Sequence, residues 1–112
     1  MSLNEIDEAG INNMVMTILE AHVTSDKWTT LEQVYKAGIQ QLDPGIIQTF
    51  LVHNSADSTL WRIITVWSSR QVLEAMRRST ETPQGVLMFR SAGAEPTLSI
   101  FDTVAQAAAP QT

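Results

Sequence analysis

The segment 60–67, Leu-Trp-Arg-Ile-Ile-Thr-Val-Trp, constrains the fold of this chain more than any other. Strand side chains alternate between two faces, so Trp61, Ile63, Thr65 and Trp67 form one row. Arg62, Ile64 and Val66 form the other. Both rows are largely apolar, which a strand bathed in water on one side does not need. If helices cover the tryptophan row, the opposite row makes a bare, adhesive sheet face. Two copies packed face to face would cover it, which predicts a two-fold homodimer.

The neighbouring segments supply the partners of this strand. Residues 46–53 carry the β-branched Ile46, Ile47, Thr49 and Val52 and read as a strand. The short polar run 54–58 between the two predicts an antiparallel hairpin. Residues 14–23 form a further strand: Met14, Met16 and Ile18 lie on one face, Val15, Leu19 and Val23 on the other. Both of its faces are apolar, so cover is expected on both sides.

Helical spacing links Trp28, Leu31, Tyr35, Gly38, Ile39 and Leu42 into one buried stripe. Its start is offered either by Thr24-Ser25-Asp26 or by a capping box of Thr29 and Glu32. Asp43-Pro44-Gly45 ends it. Ser68 and Gln71 fit a second capping box, ahead of the apolar Val72, Leu73, Ala75 and Met76. Arg77 and Arg78 in the last turn suit the helix dipole. Thr82-Pro83 fits the start of a third, short helix ending near Gly93, with an extended segment over 86–89 as the alternative. Residues 97–104 read as the last strand.

The order β-α-β-β-α-(α)-β is that of an α+β, ferredoxin-like split βαβ fold. It has a four-stranded antiparallel sheet with helices on one face. The expected domain spans 12–104, between tails at 1–11 and 105–112. With 112 residues there is room for one domain. Seven Lys and Arg against twelve Asp and Glu give a net charge of −5, which disfavours nucleic acid as a partner. No apolar run approaches the ~20 residues of a membrane span. Cysteine is absent, which excludes disulfides, thiolate catalysis and Cys-ligated metals. The acidic start, with Glu5, Asp7 and Glu8, lacks the features of a signal peptide, so a cytoplasmic location is expected.

From Gly45 onward the residues carry a resemblance. The strand 60–67 closes in Trp67-Ser68-Ser69 and runs into a helix. It follows a Pro-Gly turn and a polar hairpin, and precedes Phe89-Arg90 and Ala94-Glu95-Pro96-Thr97. This pattern resembles the antibiotic biosynthesis monooxygenase superfamily, whose members are dimeric α+β barrels. The resemblance implies several activities: oxidation of polycyclic phenols by dioxygen without metal or flavin, haem degradation, isomerisation, or ligand binding alone. Haem-degrading relatives carry a His on the helix after the strand-end Trp. Here Arg77 stands at that place and no His follows His53. The resemblance therefore implies a cofactor-free oxygenase acting on a small aromatic or polyketide-like molecule, or a relative that only binds such a ligand.

Such chemistry needs an apolar pocket, a group that takes or steers a proton, and donors for a developing oxyanion. Trp67 is the candidate pocket wall, with its N–H as a donor; the plainer role is core packing. His22 and His53 are the only histidines. Each lies near a strand end, as a candidate base or as a solvated edge residue. Glu20 shares a face with Met14, Met16 and Ile18, so burial would demand a partner or a raised pKa. Tyr35 could present its hydroxyl to the pocket. Met76 and Phe89 would add an adaptable wall. Arg62, facing away, is expected to pair with an acid such as Asp102. Neither a cofactor nor a metal site is expected.

Overall fold

A computed structural model describes residues 14–79 and 81–110. The predicted tail 1–11 lies outside them. Strand β1, Val15–His22, leads through a 3-10 turn at Ser25–Lys27 into helix α1, Trp28–Gly38. A second 3-10 turn, Ile39–Gln41, closes that helix. Strands β2, Ile46–His53, and β3, Leu60–Trp67, form the hairpin. Helices α2, Arg70–Arg78, and α3, Gln84–Ser91, follow, and β4, Thr97–Asp102, completes the sheet. The strand order is β2-β3-β1-β4 and the three pairings are antiparallel. This is the ferredoxin-like α+β arrangement.

Local chemistry accounts for the element ends. Thr24 begins the 3-10 turn without a side-chain cap, and Thr29 already lies inside α1, so the Thr29–Glu32 box does not form. After α1, Asp43 turns the chain: its carboxylate accepts from Gly45 N at 2.7 Å and its carbonyl from Ile46 N at 2.9 Å. The cap of α2 is Ser69, not Ser68; its hydroxyl accepts from Val72 N at 3.2 Å. Residues 84–91 are helical, which overturns the extended alternative. Gly93, at φ 73°, follows that helix, and a side chain there would be strained. β4 stops at Asp102, opposite Val15, where β1 begins, so it is shorter than the predicted 97–104.

All three helices cover one face. The alternation on β3 is as expected: Trp61, Ile63, Thr65 and Trp67 are buried and the residues between them are not. Two apolar clusters share that face. The larger joins Val23, Leu31, Trp61, Ile63 and Phe89 beneath α1 and α3. The smaller joins Val15, Trp67 and Leu73 beneath α2. Gly85 lets the first turn of α3 sit close on β1: a Cβ there would come within 2.7 Å of Leu19 Cδ1.

The other face is bare in a single chain. Register places Met16, Ile18, Phe50, Ile64, Val66 and Phe101 on it. Phe50 is 43% and Phe101 49% exposed. Within one chain β1 is covered on its helix side alone. Among the described residues no helix is long and apolar enough to cross a membrane.

Candidate functional site

A cleft of about 870 Å³ opens between the sheet and the helices. It lies where the two apolar clusters fail to meet. Its volume falls in the range of roughly 300–1,000 Å³ usual for small-molecule sites. Leu19, Ile63, Trp67, Leu73, Met76 and Met88 make the walls. At the rim Arg77, Arg90 and Glu95 bring charge.

The floor is polar and is built by register. Thr17 on β1 stands opposite Thr65 on β3, which stands opposite Thr49 on β2. All three residues line the cleft. Thr17 is 6% and Thr65 8% exposed, making them the buried polar residues of the described chain. Tyr35, one turn beyond Leu31 on α1, donates to Thr49 Oγ1 at 3.2 Å. Thr49 and Thr65 hydroxyls lie 3.4 Å apart. Trp67 Nε1 donates to Thr17 Oγ1 at 3.0 Å. A hydroxyl row thus crosses the floor between the apolar walls.

The rim pair is well formed. Arg90 donates from Nε and Nη2 to the two carboxylate oxygens of Glu95, each at 2.9 Å. Those bonds hold the Glu95 carboxyl below the usual range and the Arg90 guanidinium above its own. Bidentate geometry fixes the corner between α3 and β4.

Of the residues singled out from the sequence, Trp67, Tyr35 and Met76 line the cleft. The indole N–H of Trp67 is already committed to Thr17. Phe89 is fully buried in the larger apolar cluster, without reaching the lining. The remaining three lie elsewhere. Glu20 is on the bare sheet face, where Arg62 Nε donates to it at 2.5 Å. The expected Arg62–Asp102 pair is therefore replaced: Asp102 pairs with Arg70 of α2, because β4 register turns it to the helix side. His22 is at the exposed end of the bare face, 3.1 Å from Thr59 Oγ1 and 4.0 Å from Asp57. His53 is on the helix side, at the far end of the sheet from the cleft. It stacks on Trp61 at 5.0 Å, with Trp28 at 6.4 Å. Among the described residues no three His, Asp or Glu side chains converge as metal ligands.

The threonine row was missed by sequence reasoning. Alternation put Thr65 on the helix side, and Thr17 falls on the Val15–Leu19 row by the same rule. Their meeting across strands is a matter of register, which no single strand encodes.

The family model for antibiotic biosynthesis monooxygenase matches residues 14–85. The chain belongs to that family. Solved structures share the fold at low identity. A putative antibiotic biosynthesis monooxygenase from Caulobacter crescentus is 15% identical over 90% of this chain and 99% of its own, with a TM-score of 0.62. One from Deinococcus radiodurans is 9% identical, covers 88% of this chain and 99% of its own, and scores 0.65. SnoaB, a cofactor-independent oxygenase from Streptomyces nogalater, is 16% identical over 84% of this chain and 96% of its own, and scores 0.62. No curated protein matches.

Proposed function

We propose that this chain is a monooxygenase that oxidises a small aromatic or polyketide-like molecule with dioxygen, without metal or flavin. The carrying observation is the cleft at Trp67, apolar on its walls and hydroxylic on its floor. Membership of the monooxygenase family and the cofactor-independent activity named for SnoaB support it. An electron-rich substrate, as phenolate or enolate, can itself reduce dioxygen. Conversion of a ring methylene to a carbonyl takes one oxygen atom, and the other leaves as water, so no outside reductant is needed. The chain's part is to exclude water, orient the ring and hold the oxyanion. Neither His22 nor His53 reaches the cleft, so the substrate enters it already as its phenolate or enolate.

Dioxygen uptake with a model anthrone tests this. Uptake matched to quinone formation is expected, and Met76→Trp, which fills the cleft from a half-buried position, abolishes it while the fold persists by thermal unfolding. No uptake with any electron-rich phenol overturns it. A second reading, a ligand-binding protein without turnover, is favoured by the absence of a histidine at the cleft; ligand binding without oxygen uptake would establish it.

The bare apolar face supports a homodimer formed sheet to sheet, with the Glu20–Arg62 pair inside it. Sedimentation at micromolar concentration should give twice the chain mass. A single-chain mass overturns the dimer and leaves the cleft untouched.

A further inference from the structure

The hydroxyl row can be examined as a count of hydrogens. Trp67 Nε1 is a donor only, so Thr17 Oγ1 accepts from it, and the Thr17 hydrogen is left to give. Tyr35 donates to Thr49. Thr49 and Thr65 share one hydrogen bond, whichever of them donates. One hydrogen of that pair is therefore also left to give. No other protein acceptor takes either hydrogen among the described residues. Both threonines that flank the gap, Thr17 and Thr65, are more than nine-tenths buried and line the cleft. The free hydrogens are open to whatever oxygen enters the cleft, and a ligand that displaces water there must bring lone pairs of its own.

We propose that the floor is an acceptor-selective subsite, in which Thr17 and the Thr49–Thr65 pair donate to a quinone carbonyl or phenolate oxygen of the ligand. This rests on the reading of the cleft as the ligand site, and adds which atoms of the ligand face the sheet. When Thr49 donates to Thr65, the two free hydrogens sit on Thr65 and Thr17, on adjacent strands separated by roughly 4.8 Å. One oxygen between them, or two on the same ring edge, meets both. A ring lacking oxygen takes neither hydrogen and gains only the walls.

The experiment uses the full chain and two probes of nearly equal shape, menadione and methylnaphthalene. Binding is followed by backbone and indole N–H resonances of Thr17, Thr65 and Trp67. Menadione should bind about tenfold tighter, the worth of two modest hydrogen bonds. The T17V/T65V double variant keeps β-branched shape and should lessen the preference for menadione, what remains coming from the freed Trp67 and Thr49 donors, while T17S/T65S should keep it in full. Equal binding of both probes to the unaltered chain, or a preference undiminished in T17V/T65V, overturns the subsite. The first of these comparisons needs no variant to fold. If neither probe moves the cleft resonances, the cleft reading itself fails, and the subsite with it.

Discussion

Trp61 and Trp67 sit on the same strand, on the same face, and are equally buried at 6% exposure. Their surroundings differ. Around Trp61 the space is filled: Trp28 lies 6.0 Å away and His53 stacks at 5.0 Å. Its indole N–H has no partner among the described residues. Trp67 borders the cleft, and its N–H is held by Thr17. One end of the sheet therefore spends its aromatic on packing and leaves a polar atom unsatisfied. The other satisfies the polar atom and leaves space. The contrast comes from the helices above. α1 and α3 close over Trp61, whereas α2 alone stands beside Trp67.

Truncation should give the largest difference. Trp61→Ala removes the centre of the filled end and should cost about 3–5 kcal/mol. Trp67→Ala should cost less, because one side of its ring borders the cleft and not packed side chains. Urea unfolding of the pair checks this, and equal losses would mean the two ends are packed alike. Replacement by Phe sharpens the contrast. Trp67→Phe strands the Thr17 hydroxyl, whereas Trp61→Phe removes an orphaned donor. The first should be less stable than the second by about 1–2 kcal/mol. Smaller again, His53→Ala should lose about 0.5–1.5 kcal/mol of ring contact. It should leave ligand affinity in the cleft unchanged. A shift in that affinity would join the two ends into one site.

Much of the contrast could be read from the residues. The rows of β3, the bounds of β2 and β3, and the helix-side position of both tryptophans follow from alternation and turn chemistry. The bare apolar face follows from the same rule. What could not be read is where the helices leave a gap. That depends on how α2 and α3 are placed over the sheet, and no periodicity reports it. For the same reason His53 was an open candidate: its strand and face are legible, but its distance from the hollow is not. For Glu20 the residues left two outcomes, burial with a partner or plain exposure. The partner is Arg62, opposite it in the β1–β3 register, and the pair lies on the uncovered face.

The smallest effect concerns the acids at the two ends, and its sign follows from linkage. Glu95 at the cleft rim is lowered chiefly by its hydrogen bonds from Arg90. Asp57, in the hairpin turn near the filled end, is lowered chiefly by the Thr59 hydroxyl and then by its backbone N–H. A carboxyl depressed in the folded state stabilises it above the unfolded pKa, about 4 for either residue. That contribution fades as pH falls through the folded value. Both groups are exposed, so solvent screening keeps each effect small. Side-chain carboxyl NMR should find both midpoints below those of unstructured peptides. Arg90→Gln should return Glu95 toward the ordinary value and leave Asp57 in place. Thr59→Val should do the reverse. If Arg90→Gln moved neither midpoint, the rim pair would not persist in solution, and the cleft would have lost its charged edge.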